Sequence, residues 1–349
     1  MLLPVSECFF LDVGQGTSQV VLLGNRRAIV IDCGPKSGSF VPLKLLKRYV
    51  DRIVALVISH NDADHLGGAS GVLSAYPNAI DRLYVLQDRP VGESPLYSLI
   101  ESELRSKRLS EPPVRLECDG TVRELFIDVT TGLRLRLYSP TLIENWSAQA
   151  GHAPNATSGI LSLDCGERRI IFPGDSTVEQ WRQVHLRNGG VPVSCDVCAV
   201  PHHGGKVADS DKVEAADLAF MYESALRPKY AVVSVGTSNR PGHPRPRVIE
   251  KLVEQQFHVL CTQVTKQCSD NVESLRPGVR PPDEPCRSLR RRDVTLSGKP
   301  RNLACAGTVI AEIRPDQVTI HRLKDHQRGV DRLAAKSGGH PLCRCVTES

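Results

Sequence analysis

The chain has 349 residues, 40% of them hydrophobic and 24% charged, which suffices for one large core or two modest ones and excludes a disordered or fibrous protein. No apolar run approaches the roughly 18 residues that span a membrane, and residues 1–8 lack the positive start and long apolar stretch of a signal peptide, so the expectation is a cytoplasmic protein without membrane insertion. The formal net charge of +5 suits a phosphate-bearing partner without demanding one.

Residues 8–13, 18–23 and 27–32 read as three successive strands, with Gly14-Gln15-Gly16 and Gly24-Asn25 as the turns between them. Residues 41–50 read as a helix, 53–59 as a buried β-branched strand, 83–86 as a strand, 94–108 as a polar helix, and 123–127 and 133–138 as strands. In the second half, 158–163 and 169–172 read as paired strands, 177–187 as a helix, 196–200 as a strand, 212–225 as a helix and 230–235 as a strand. A helix at 246–256 follows, with Pro246 in its first turn where a missing N–H costs little, and 258–261 closes the block as a strand. Such alternation predicts sheets inside and helices outside.

Residues 265–302 differ: rich in proline and arginine, including Arg290-Arg291-Arg292, they read as an insertion. A strand pair returns at 307–313 and 318–322, so 1–323 reads as one domain and 324–349 as a flexible C-terminal tail.

Polar clusters recur where apolar strands end. The strand at 53–59 runs into His60-Asn61-Asp62-Ala63-Asp64-His65, two imidazoles and two carboxylates in six residues, then Leu66-Gly67-Gly68. Four side chains able to bind metal thus leave a rigid strand together. Pro173-Gly174-Asp175-Ser176, Pro201-His202-His203-Gly204-Gly205 and Gly236 through Asn239-Arg240-Pro241-Gly242-His243-Pro244 follow other strands, as do Asp12-Val13-Gly14-Gln15-Gly16 and Asp32-Cys33-Gly34. One Gly-Asp or His-His alone is an ordinary turn or pair. Their joint occurrence at strand ends of an α/β pattern is the arrangement of a site.

This ordered set resembles the metallo-β-lactamase superfamily, whose signature is His-x-His-x-Asp-His, then a histidine, a Gly-Asp and a last histidine. More narrowly it resembles the hydrolase domain of the competence channel ComEC and its stand-alone relatives, which open with Asp-Val-Gly-Gln-Gly, as at Asp12 to Gly16, and carry aspartate where Asp62 stands. The resemblance covers about residues 6–262 and implies an α/β fold, an αββα four-layer sandwich whose two αβ units are residues 1–140 and 150–262. It implies a dinuclear site for two divalent ions, with His60 and Asp62 on one, Asp64 and His65 on the other, Asp175 bridging, and His202 or His203 as the last ligand. Asp62, a hard carboxylate in place of an imidazole, shifts preference from zinc toward manganese or magnesium and leaves zinc and manganese both open. Gly151-His152-Ala153-Pro154 resembles the superfamily's Gly-His-Thr-Pro element, whereas the competence-type branch uses asparagine and serine there, matching Asn155 and Ser158. His152 is therefore a candidate ligand, and Asn155 and Ser158 are candidate substrate contacts.

Asp64 and His243 are the candidate catalytic residues, His243 through substrate contact or leaving-group protonation. Asn239 and Arg240 join it as candidate substrate contacts, the Arg240 fork being suited to a phosphate oxygen. Asp12 and Asp32 fit supporting or turn roles. The twelve cysteines are scattered, several within apolar strand patterns, as buried reduced thiols are. Cys261, Cys268, Cys286 and Cys305 flank the insertion but lack the Cys-x-x-Cys pairing of structural zinc sites. Cys195-x-x-Cys198 has that spacing, yet a flat strand would point the two to opposite faces.

These readings lead to a metal-dependent hydrolase, foremost a phosphodiesterase or nuclease acting on DNA or RNA. The alternatives are a small-molecule hydrolase of the same fold, acting on a phosphate ester, cyclic nucleotide, lactone or thioester, and a non-enzymatic binding scaffold.

Overall fold

The computed structural model describes residues 6–87, 94–109, 111–151, 154–208, 215–237, 239–268, 304–337 and 341–343. Among them no helix is long and apolar enough to cross a membrane. The first sheet begins as a meander, β1 (Ser6–Phe10), β2 (Gln19–Leu22) and β3 (Arg27–Ile31), each antiparallel to the next. It continues in parallel through β4 (Arg52–Ile58), β5 (Leu83–Val85) and β6 (Val114–Arg115). The second sheet repeats that plan. β7 (Arg123–Asp128), β8 (Leu133–Ser139), β9 (Ile160–Cys165) and β10 (Arg168–Phe172) pair antiparallel. β11 (Val193–Ala199), β12 (Leu226–Val233) and β13 (His258–Cys261) then run parallel to β10. β14 (Val309–Ile313) returns to pair with β1 and carries β15 (Val318–Ile320) at the edge of the first sheet.

The period-two alternation of strand side chains builds the layers. In β3, Ile29 and Ile31 point into the core between the sheets, while Ala28 and Val30 point to the outer core of the first sheet. In β12, Tyr230 and Val232 face inward and Ala231 and Val233 outward. Phe10 and Phe172 meet across the sheets with ring centroids 5.9 Å apart. Helices cover both outer faces. α1 (Phe40–Tyr49), with Val41, Leu45 and Leu46 buried, covers the first sheet together with α2 (Ala63–Leu66), α3 (Ala69–Ala75) and α4 (Pro95–Arg105). α5 (Leu142–Gly151) links β8 to β9; α6 (Val178–Arg187), opened by a Thr177–Gln180 capping box, α7 (Ala215–Ala219) and α8 (Pro246–Glu254) lie on the second sheet's side. The architecture is the expected αββα sandwich.

Four details depart from the sequence reading. The units do not divide at residue 140: β7 and β8 pair with β9, because a hairpin joins them to the strand that follows rather than to the parallel strands before. The helix expected over 212–225 is α7 followed by a π-helical turn, Phe220–Ala225, residues 209–214 lying outside the described set. Cys195 and Cys198 share the outer core beside α6 and contact each other, because the facing alternation of β11 changes phase between Cys195 and Val197. The expected flexible tail from 324 onward instead begins as α9 (Leu323–Ser337), with His326, Val330 and Leu333 buried and Cys343 buried beyond it. Leu323, His326, Val330 and Leu333 lie at helical spacing, a narrow apolar stripe within a polar segment. Of the Arg/Pro-rich insertion expected over 265–302, residues 269–302, with the Arg290 to Arg292 cluster, lie outside the described residues.

Trp181, on the inner face of α6, is wholly buried, and its indole N–H donates to Ser176 Oγ at 2.9 Å. Trp181→Ala is expected to cost ~3–5 kcal/mol of stability in urea unfolding, the range for truncating a large buried aromatic.

Candidate metal centre

Parallel strands end on the same edge of a sheet, and this places the motifs together. Asp32 follows β3 and His60 follows β4. Asp175 follows β10, His202 and His203 follow β11, and the loop to His243 follows β12. The edges of the two sheets meet, and their loops interleave.

His65, 0% exposed, joins them: its Nδ1 lies 2.9 Å from Asp32 Oδ2 and its Nε2 3.0 Å from Asp175 Oδ1. Asp32 is held by the Ser59 backbone N–H at 2.7 Å and the Ser59 hydroxyl at 2.6 Å. His203 is turned in the same sense, its Nδ1 2.9 Å from the Ser234 carbonyl and its Nε2 3.2 Å from Asp64 Oδ2 and 3.7 Å from Asp175 Oδ1. His202 directs Nδ1 to the Lys206 carbonyl and Nε2 to Asp175 Oδ2 at 3.7 Å. In all three, an acceptor behind the ring takes the Nδ1 proton, so that once any proton on Nε2 is lost its lone pair is left for the centre, as metal-binding histidines require.

The donor set fits a cation. His60 is completely buried and its ring nitrogens, like His203 Nε2, make no well-aligned hydrogen bond, although Asp62 stands 3.1 Å from His60 Nε2 and Asp64 3.2 Å from His203 Nε2. Buried polar atoms rarely stay unmatched, so nitrogens facing carboxylates mark a place for positive charge. Asp64, His65 and His203 offer ligand atoms all within 4.8 Å of one another. Asp62 begins α2 yet does not cap it through its side chain; the carboxylate lies 3.1 Å from His60 Nε2. Two groupings result: Asp64, His65, Asp175 and His203, and beside them His60 with Asp62. Of the two adjacent histidines, His203 is the one in the first grouping. Its φ of 56° and the 51° of His202 lie in the left-handed region, which costs non-glycine residues on the order of 1–3 kcal/mol each.

Close backbone approach shapes the same edge. At Gly174, φ is 53° and a Cβ would come 2.4 Å from Ser158 Oγ. A Cβ on Gly205 would strike the His243 ring at 2.4 Å.

The remaining predicted residues fall into place differently. Ser158, fully buried, accepts the Asp175 backbone N–H at 2.8 Å and so helps to position Asp175. Asn239 spends its amide on its own loop: it donates to the carbonyls of Gly236 and His243 and accepts the His243 N–H at 2.7 Å. It clamps the loop that carries His243. His243 is 6% exposed, its ring centroid 5.5 Å from that of His202. Arg240 is exposed nearby. His152 and the side chain of Asn155 lie outside the described residues. Asp12 Oδ1 accepts from Gln263 Nε2 at 2.7 Å, supporting the loops from behind. Ser59 and Gln263 escaped the sequence reading; only Ser59, at the end of a buried strand, carried a local signal.

Electrostatics follow from this crowding. Burial pulls the His65 pKa down, but Asp175 and Asp32 outweigh it and hold the imidazole well above its ordinary value of 6.5. Burial raises Asp175, yet His65 and His203 hold it well below 3.8. Asp64 is lowered and His203 raised, in each case against burial, by their mutual contact. Burial, then His203 and His202, push His243 down to about 4. Protons thus occupy the place of a cation and are its competitors.

Two outcomes follow. The raised His65 pKa adds stability fully present below about 6.5 and lost as pH rises through the folded value; the lowered Asp175 pKa adds stability present above about 3.9 and lost as pH falls through its folded value. In urea titrations, chelator-treated protein is expected to weaken as pH rises above about 6.5, Asp175→Asn to flatten that limb, and divalent metal to restore stability there. Asp32→Asn, which unsettles the His65 tautomer, is expected to lower metal affinity ~10–100-fold in competition with a chromogenic chelator.

The model of the family described as the metallo-beta-lactamase superfamily matches residues 11–233. The chain is 28% identical over 274 residues to Recombination protein 2 of Haemophilus influenzae, covering 77% of this chain and 29% of that protein. It is 24% identical over 277 residues to ComE operon protein 3 of Bacillus subtilis, covering 73% of this chain and 32% of that protein. The chain therefore spans about a third of the length of these curated relatives, and the similarity agrees with the competence-type branch suggested by Asp12 to Gly16 and Asp62. Among solved structures, Igni18, a metallo hydrolase of Ignicoccus hospitalis, is 15% identical with a TM-score of 0.44 over 73% of this chain and 94% of that one. The matched span contains every residue from His60 to His203 that the centre brings together, and the chain belongs to the metallo-beta-lactamase superfamily of hydrolases.

Proposed function

We propose that this chain hydrolyses phosphodiester bonds of DNA or RNA at a centre for two divalent ions, manganese or zinc. The observation that carries the reading is the convergence of Asp64, His65, Asp175 and His203 beside His60 and Asp62, with the backs of the histidines fixed by Asp32 and Ser234. Divalent cations held there would lower the pKa of a water from about 15.7 toward ~7 and polarise phosphoryl oxygens. Asp175 offers one oxygen toward His65 and the other toward His202, the disposition of a bridging carboxylate.

Phosphate is the substrate group best matched to the surroundings. Lys36, Lys206, Arg240 and Arg245 stand half-buried or exposed on the segments flanking the centre, and Arg247 is exposed in the first turn of α8. A cationic rim above a carboxylate-rich centre draws a polyanion to the cations rather than to the carboxylates. His243 is neutral near pH 7, so it first accepts a proton. An anionic phosphate beside it favours that uptake, after which the imidazolium can protonate the leaving oxygen. The similarity to a recombination protein and to a ComE operon protein supports a nucleic-acid substrate.

The test is a panel of single- and double-stranded DNA, RNA and bis(p-nitrophenyl) phosphate with added Mn²⁺, Mg²⁺ or Zn²⁺. Polymer cleavage is expected, dependent on metal and abolished in Asp64→Ala and Asp175→Ala. Hydrolysis of the small ester alone would sink the nuclease reading in favour of a small-molecule phosphodiesterase, and metal-free inactive protein would point to a scaffold.

A further inference from the structure

We propose that Cys305, His326 and Cys343, completed by Cys261, form a zinc site separate from the hydrolytic centre. Cys305 Sγ, a His326 ring nitrogen and Cys343 Sγ lie within 4.8 Å of one another, and all three residues are buried. Cys305 Sγ is 3.3 Å from His326 Nε2. Cys343 sits at the hub, in contact with Cys261, Cys305 and His326, and its Sγ accepts the Cys261 backbone N–H at 3.2 Å. Cys268 borders the group, with its thiol near Cys343. None of these cysteines is disulfide-bonded.

Three thiols and an imidazole converging from four places in the chain match tetrahedral Cys₃His ligation, with softness suited to zinc and unsuited to magnesium or manganese. Neighbouring sulfur and nitrogen ligands of such a site lie just under 4 Å apart by its ~2.3 Å and ~2.0 Å bond lengths, so the cluster needs only small side-chain adjustment. Zinc binding would expel the thiol protons. Spacing concealed the site, because Cys261, Cys305, His326 and Cys343 come from the end of β13, the approach to β14, α9 and the segment after it.

The location gives the zinc a task. Immediately after Cys261, Thr262 Oγ1 accepts the Val235 N–H at 2.9 Å, and Gln263 Oε1 accepts the Thr237 N–H at 2.8 Å. Gln263 also reaches Asp12, while the N–H groups of Cys305 and Ala306 bond back to Thr262 and Cys261. The cluster therefore clamps α9 to the strand end that braces the Asp12 loop and the loop bearing His243.

The test uses the full chain with Asp64→Ala and Asp175→Ala, so that metal at the hydrolytic centre is weakened. Expected are about one retained zinc per chain, sulfur scatterers near ~2.3 Å in zinc X-ray absorption, and a thiolate-to-cobalt charge-transfer band after cobalt(II) replacement. Adding Cys343→Ser should remove the band and the zinc; adding His326→Cys should keep zinc and gain a sulfur scatterer. The spectra of the parent chain decide the matter even where Cys343→Ser fails to fold. Zinc without sulfur ligands, no retained zinc, or a disulfide joining any of Cys261, Cys305 and Cys343 in non-reducing mass spectrometry overturns the proposal.

Discussion

One imidazole holds the two halves of this molecule in register. His65 lies between a carboxylate at the edge of the first sheet and another at the edge of the second, 2.9 Å from Asp32 and 3.0 Å from Asp175. Taking such groups out of water is costly, and it is tolerated only where geometry and further hydrogen bonds compensate. Compensation here is local: Ser59 supplies both donors to Asp32, and Ser158 anchors the backbone of Asp175. The strand ends must therefore meet at a fixed height and spacing. The inter-sheet core, with Phe10 against Phe172, holds them there.

Around that axis, polar residues of the loops serve as scaffolding. Ser158 and Asn239 expend their polar atoms on Asp175 and on the His243 loop. The acceptors behind His65, His202 and His203 orient imidazoles without themselves facing the centre. A hydrolytic site of this kind needs rigid ligands more than it needs many of them. Left-handed backbone at His202 and His203 is part of that rigidity, since the strain persists only because the surrounding loops leave no alternative.

The back of the molecule serves the front. α9 and the segment ending at Cys343 pack onto the second sheet's outer core, where the sulfur-rich cluster adjoins Thr262 and Gln263. From there hydrogen bonds run to Asp12 and Val235, so the C-terminal segment has a route by which it steadies the loops around the metal centre.

The sequence by itself determined the alternation of strands and helices, the strand ends that carry chemistry, and the family, because buried strands and ligand-dense turns are local patterns that burial and metal chemistry impose directly. His60 through His65, Asp175 and the His202-His203 pair were legible for that reason. Only the tertiary structure decided that β7 and β8 belong to the second sheet, that His203 rather than His202 joins Asp64 and His65, and that Ser158 and Asn239 are supports. It alone brought Gln263 to Asp12, 251 positions away, and Cys305 to His326 and Cys343. Those contacts depend on which edges face each other across two sheets, and a strand's own residues carry no record of what stands beyond its neighbour.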